Sequence, residues 1–370
     1  DKLAGIHANT QIPKIIGAAR GYEMTGDEKL NTIAGFFWQT VVDHHTYANG
    51  GNSDNEHFFA ADQLSKHLTA ITTETCNTYN MLKLTRHLFT WTADAKYADY
   101  YERALYNQIL ASQDDETGMV TYFQSTKPGL FKTYSTADNS FWCCVGTGFE
   151  NHAKYAEGIY YHNNDGVFVN LFIPSELDWK QKGFKLVQHT QYPEESTTNL
   201  EVEAAPAGQL SLYIRYPSWA ISGAKVTVNG KTIRISQQPG SYIVLNRKWK
   251  AGDKVAVTYP MSLRTIATND NPDKAALAYG PVLLAGDMGT EGIKAPAPFA
   301  KDQWDFKNYN IPADLISSLN VKGKKINDWL IPVAGHPLTF TTKNVAARPV
   351  TLTPFYKIDK QRYVMYWDLN

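Results

Sequence analysis

The sequence predicts a multidomain α-plus-β protein in which helical hairpins are followed by an antiparallel β-sandwich. Three observations predict it. Apolar residues recur with a helical period through roughly the first 165 positions. Beyond Asn163-Asn164-Asp165-Gly166 they alternate with period two, and turn residues then separate them at the spacing of short strands. The 370-residue chain, 43% hydrophobic and 13% aromatic, is long enough for two or three cores.

The first helix is marked by Ile12, Ile15, Ile16 and Ala19, a three-four spacing. Thr25-Gly26-Asp27 stops it and starts the next, because Gly26 suits a left-handed C-terminal position and Asp27 an N-cap. Leu30, Ile33, Ala34, Phe37, Trp38, Val41 and Val42 then form an apolar stripe, and the two helices make a hairpin. Further helices are expected near 74–92, 94–112 and 147–162, with polar, Gly-rich loops at 43–57 and 114–142. Strands are expected at 167–171, 210–214, 242–245 and 255–259. Val226-Thr227-Val228 followed by Asn229-Gly230 marks a two-residue hairpin. The expected division is 1–165 helical, 166–262 a β-sandwich and 263–370 mixed, mainly β. The last section holds the apolar run 281–285 and a late strand pair around Thr351 and Tyr363.

Composition excludes several functions. The 36 basic and 36 acidic residues cancel, so nothing attracts nucleic acid or an anionic membrane. No stretch reaches the roughly 18 apolar residues of a membrane span. The chain opens as Asp1-Lys2-Leu3, close to an amphipathic helix and with neither initiator Met nor signal peptide, as expected of a piece of a longer protein. The 9 Trp, 22 Tyr and 16 Phe fill large cores or offer flat surfaces on which sugars stack.

The chemistry-bearing residues start with three cysteines, an odd number that argues against a disulfide framework. They are buried bystanders, a metal site or a reactive centre. Glu74-Thr75-Cys76 stands at an expected helix start, where free N–H groups favour a thiolate; alone, a capping carboxylate beside a buried thiol is the commoner case. Cys143-Cys144, ahead of Gly146-Thr147-Gly148, reads as a tight turn delivering two thiols to another helix start. Together Glu74, Cys76, Cys143 and Cys144 are a complete tetrahedral ligand set for zinc, and they use every cysteine. Residues i and i+2 diverge on a helix and neighbours diverge on a strand, so both pairs are expected in irregular backbone at element ends. Glu56 lies in the polar loop Gly50-Gly51-Asn52-Ser53-Asp54-Asn55-Glu56. A lone glutamate there is usually solvated, but this loop can bring it to the site as a general acid.

At these residues the sequence resembles a known family. His7-Ala8-Asn9-Thr10-Gln11-Ile12-Pro13-Lys14, the loop ending in Glu56, Glu74-Thr75-Cys76-Asn77-Thr78-Tyr79-Asn80 and Cys143-Cys144-Val145-Gly146-Thr147-Gly148 resemble the β-L-arabinofuranosidases of glycoside hydrolase families 127 and 146. The Val-Gly-Thr-Gly-Phe-Glu-Asn-His version looks closer to family 146. The likeness continues through Arg215-Tyr216-Pro217-Ser218-Trp219 and Ala278-Tyr279-Gly280-Pro281. It implies an (α/α)6 barrel followed by β-sandwich domains, of which residues 1–165 supply only the C-terminal half: five or six helices precede the strands where the barrel needs twelve. It also implies zinc held by Glu74, Cys76, Cys143 and Cys144, with Cys143 as nucleophile and Glu56 as acid/base. His7, Glu102 and Tyr122 match residues lining the sugar site. The implied activity is release of β-L-arabinofuranose, with retention, from an arabinose-containing plant oligosaccharide or polysaccharide. Two rivals stand beside it: a non-catalytic protein in which zinc staples loops, and a carbohydrate-binding module on the strand-rich half. Reduced thiols fit the cytoplasm, and enzymes of the resembled kind are often periplasmic. The sequence chooses neither compartment and fixes no oligomeric state.

Overall fold

The helical hairpin forms where the apolar spacing places it. Helix α1 (Ala8–Thr25) buries Ala8, Ile12, Ile15 and Ala19, and α2 (Glu28–His44) buries Ala34, Phe37, Trp38 and Val41. Gly26 ends α1 in the left-handed region (φ 70°), and the Asp27 side chain accepts from the Lys29 amide at 2.9 Å. Met24, Ile33 and Phe36 remain exposed, so Ile33 does not share the buried stripe. The computed structural model describes residues 2–293, 299–304 and 310–370.

The chain forms two compact units. One gathers Asp1–Leu88, Arg103–Ala153 and Leu263–Asn370; the other gathers Phe89–Glu102 and Lys154–Ser262. Helix α3 (Thr75–Thr92) and helix α4 (Ala95–Ala104) each run from one grouping into the other.

In the first unit, residues 263–370 build a nine-stranded sheet around Val282–Asp287 and Asn271–Tyr279, flanked on both sides by further strands. The apolar run at 281–285 is thus a central strand, buried on both faces. Thr351–Pro354 and Tyr363–Val364 are strands, but each pairs with Val282–Asp287 rather than with the other. The loop after α2 lies on this sheet: Tyr47, Ala48 and Phe59 share a core with Ala276, Leu283, Phe355 and Tyr363. The Tyr366 hydroxyl also accepts from the Ala48 amide at 2.7 Å. That anchoring fixes the segment leading to Glu56.

Two helix expectations need correction. The helix expected at 94–112 is α-helical only to Ala104, then widens into a π-turn (Leu105–Ile109) and tightens into a 3₁₀ turn (Leu110–Ser112). Inside that turn Asn107 accepts from the Leu283 amide and donates to the Pro281 carbonyl, so side-chain bonding to the sheet accompanies the irregularity. The helix expected at 147–162 is α5 (Cys143–His152), and Tyr160–His162 is already a strand. Gly146-Thr147-Gly148 was read as a turn before this helix but lies within it. A Cβ on Gly148 would come 2.9 Å from Val120, so that glycine serves close packing rather than a turn.

The second unit holds two sheets. The six-stranded one orders Ser175–Trp179, Phe184–Thr190, Thr197–Ala204, Lys254–Thr258, Lys225–Val228 and Lys231–Ile233. Asn229 and Gly230, both at positive φ (50° and 76°), turn the last hairpin as their sequence predicts. The four-stranded sheet is not purely antiparallel, because Gly166–Val169 runs parallel to Leu210–Tyr216. Between those strands the chain crosses to the other sheet, lays down three strands and returns, which allows the same direction twice. Gly166 is required there, since a Cβ would sit 2.0 Å from the Ser211 carbonyl oxygen. Buried Arg215 is matched in this unit by Asp99 (2.6 Å) and Glu102, with Tyr192 and Trp219 also donating to Glu102.

Candidate active site

Five segments of the first unit deliver the site. Residues 72–75 are pinned to residues 121–126. Thr72 and Thr73 hydroxyls donate to the Gln124 carbonyl at 3.0 and 2.8 Å, and the Thr75 amide donates to the Tyr122 carbonyl at 2.9 Å. Thr73 takes a left-handed φ of 53° immediately before Glu74, and α3 begins at Thr75. Glu74 therefore stands just outside the helix and Cys76 in its first turn. Cys143 and Cys144 are the first two residues of α5. The expectation of irregular backbone thus fails for the Cys pair: two neighbours in a first helical turn point about 100° apart, close enough to meet a common partner.

The four side chains converge, with their ligand atoms within 4.8 Å of one another. Cys76 Sγ lies 3.2 Å from Cys144 Sγ, Cys143 Sγ 4.0 Å from Cys144 Sγ, and Cys143 Sγ 3.8 Å from Glu74 Oε1. All three cysteines are free thiols. A tetrahedral ion with sulfur at about 2.3 Å separates its sulfurs by about 3.8 Å, so the spacing fits one ion. The electrostatics fit as well. Glu74 is 1% exposed, and its Oε2 is buried without a hydrogen-bond partner. Burial first, then the negative charge of Cys143 and Glu56, pushes the Glu74 carboxyl well above the usual range. A carboxylate kept charged here needs a cation. Burial likewise pushes the Cys144 thiol up, while hydrogen bonds from Cys144 and then Cys76 pull Cys143 down. The group can hold a metal ion.

Exposure separates the ligands. Glu74, Cys76 and Cys144 are buried over an apolar bed that includes Tyr122, Phe123, Leu130 and Trp142, whereas Cys143 is exposed. Solvent-side chemistry can reach only that thiol.

Glu56 comes to the same place on a strained loop. Ser53, Asn55 and Glu56 all take positive φ (74°, 50° and 66°). The loop is held by Asp54, whose carboxylate accepts from His67 at 2.9 Å and from Thr69 at 2.5 Å, and by the Ile71 carbonyl, which accepts from the Asn55 amide. Non-glycine residues persist in that region only where their surroundings over-determine them. The Glu56 carbonyl accepts from the first amide of α1, at Ala8, which brings His7 alongside. His7 caps α1 without a side-chain bond, and its Nε2 lies 3.6 Å from Glu56 Oε2. Tyr122 closes the group: its hydroxyl donates to Glu56 Oε1 and lies 3.6 Å from Cys143 Sγ.

The structure therefore brings together Glu56, Glu74, Cys76, Cys143, Cys144, Tyr122 and His7. Glu102 belongs to the other unit, where it is 2% exposed with both oxygens engaged by Arg215, Tyr192 and Trp219. Sequence reasoning missed Asn9, whose amide donates to Glu74 Oε1 at 3.0 Å, and Thr147, whose hydroxyl lies 3.1 Å from Cys76 Sγ. Their signal was membership of the resembled motifs: Asn9 sits two residues beyond His7, and Thr147 one turn beyond Cys143. A second acidic group, Asp114, Asp115 and Asp359, already contains a cation, since Lys360 Nζ stands 3.3 Å from Asp114 and 3.5 Å from Asp359. Among the described residues no helix is long and apolar enough to cross a membrane.

Known proteins share this arrangement of segments. A curated relative, the non-reducing end β-L-arabinofuranosidase of Bifidobacterium longum subsp. longum, is 24% identical over 297 residues, covering 74% of this chain and 44% of the relative. The chain thus spans less than half the length of that enzyme. A solved glycoside hydrolase superposes with a TM-score of 0.77 at 20% identity, covering all of this chain and 67% of its own. A GH127 β-L-arabinofuranosidase from Geobacillus stearothermophilus T6 superposes with a TM-score of 0.75 at 22% identity, covering 98% of this chain and 60% of its own. These likenesses establish the fold, a mixed α and β architecture. Family profiles match consecutive stretches. The GH127 β-L-arabinofuranosidase catalytic domain matches residues 1–157, the middle domain of the same family matches 166–261, and a domain of unknown function matches 264–369. With catalytic and middle profiles matching in order, and the catalytic match spanning all seven converging residues, the chain belongs to the GH127 β-L-arabinofuranosidase family.

Proposed function

We propose that this chain carries the active site of a retaining β-L-arabinofuranosidase that releases terminal β-L-arabinofuranose from arabinose-containing plant glycans. In this reading the helices of residues 1–165 belong to an (α/α)6 barrel, and residues 166–262 and 263–370 are its β domains. The observation that carries the proposal is the Tyr122 hydroxyl, bonded to the Glu56 carboxylate and 3.6 Å from the one exposed thiol, Cys143. A metal that merely stapled loops would need neither an acid nor an exposed ligand beside it.

Glu74, Cys76, Cys143 and Cys144 would hold zinc, which when bound would keep the thiols deprotonated at neutral pH. The Cys143 thiolate attacks the anomeric carbon while the bond to the leaving oxygen breaks and Glu56 gives that oxygen its proton. Water then attacks the same carbon, Glu56 takes the water's proton, and the C–S electrons return to sulfur. Two displacements leave the configuration retained. Tyr122 and His7 orient the Glu56 carboxyl between the two steps.

The test is the leaving group. Glu56→Gln lowers kcat/KM for an alkyl β-L-arabinofuranoside by about 10²–10⁴-fold, the usual contribution of general acid catalysis. For an aryl glycoside whose phenol leaves unprotonated, the first step keeps most of its rate. Equal losses on both substrates contradict the assignment.

A further inference from the structure

The two oxygens of Glu74 are unequally engaged. Oε1 accepts from Asn9 Nδ2 at 3.0 Å, and Oε2 is buried with no hydrogen-bond partner. The Asn9 amide is itself held, because its Oδ1 accepts from Asn80 Nδ2 at 2.9 Å. With its oxygen occupied by a donor, the end that Asn9 turns to Glu74 is its NH₂. Asn9 is the second residue of α1, and Asn80 lies in the second turn of α3, the helix whose first turn carries Cys76. Two helix starts are thus joined by a two-amide chain that ends on one carboxylate oxygen.

We propose that Asn9 is a positioning residue for the metal cluster: it fixes Glu74 in one orientation against the cysteine thiols, with Oε1 3.8 Å from Cys143 Sγ, and Asn80 fixes Asn9. The inference rests on the zinc reading given above. A neutral amide suits the task. It holds Oε1 by a hydrogen bond, yet adds no positive charge to compete for the carboxylate. Burial makes the constraint matter, since Glu74 is 1% exposed and a mis-turned carboxyl would leave a buried oxygen unsatisfied.

The experiment measures zinc affinity of the intact chain by competition with a chromophoric chelator, and the visible spectrum of the cobalt-loaded protein. Asn9→Asp keeps the size and the Asn80 contact but cannot donate to the Glu74 carboxylate. Asn9→Leu removes both polar ends. Each should weaken zinc by about 10–100-fold, the usual effect of losing an outer partner of a metal ligand. Asn80→Leu should weaken it less. The cobalt d–d bands should shift in both Asn9 variants while the thiolate charge-transfer bands persist. A packing role predicts the reverse: a lower melting temperature of the metal-free protein and unchanged affinity, with Asn9→Asp behaving as the parent. If the parent binds zinc and Asn9→Asp stays within twofold of it, the positioning role is wrong and the metal reading stands. If the parent binds neither metal, the metal reading itself is wrong. Should Asn9→Leu fail to fold, Asn9→Asp and Asn80→Leu decide the matter.

Discussion

Cys143→Ser lowers turnover of an activated aryl β-L-arabinofuranoside by roughly 10⁴-fold or more in the protein that carries this chain, as expected when a nucleophile is lost. A serine hydroxyl is far less ionised than a thiolate and a poorer zinc ligand. Cys143 is the exposed member of the cluster, so the substitution creates no cavity, and Glu74, Cys76 and Cys144 remain to hold the metal, so the fold should survive it. The check is kcat/KM together with the melting temperature. A large loss of activity with a melting temperature within a few degrees of the parent supports the assignment. Activity within tenfold of the parent contradicts it.

Cys144→Ala has the opposite profile. Cys144 is fully buried, 3.2 Å from Cys76, in the apolar bed shared with Tyr122 and Trp142. Its loss removes a ligand and opens a cavity, and because metal binding free energy is folding free energy the two effects add. We expect zinc to be lost on dialysis against a chelator and the melting temperature to fall by on the order of 10 °C, the shift that several kcal/mol produce in a unit of this size. One tightly held zinc and an unchanged melting temperature would remove Cys144 from the ligand set.

The parts of this site legible in the sequence were those with a chemical signature. Three cysteines and a glutamate at two helix starts match a zinc ligand set by their chemistry, and the structure brings them together. Gly26-Asp27 and Asn229-Gly230 announce their turns because each needs a backbone conformation few residues adopt. What stayed hidden depends on tertiary context. Glu102 is held in a buried ion pair by Arg215, more than a hundred positions away. Gly148 looked like a turn residue, but it lets α5 approach Val120. Asn9 and Asn80 sit inside the motifs that carry the resemblance, but their role shows only through the carboxylate between the helices. The parallel pairing of Gly166–Val169 is equally invisible locally, because its direction is set by three strands laid down elsewhere.

The central claim is that a sulfur, not a carboxylate, carries the sugar. It is tested by intact mass and peptide mapping of Glu56→Gln after brief exposure to an activated aryl β-L-arabinofuranoside. Without Glu56 to take the proton from water, the second displacement slows more than the first, so the covalent enzyme accumulates. The account predicts one added arabinosyl mass, located on Cys143 and absent from Glu56→Gln/Cys143→Ser. An adduct on a carboxylate, or on no residue while turnover continues, contradicts it and returns the metal cluster to a purely structural role.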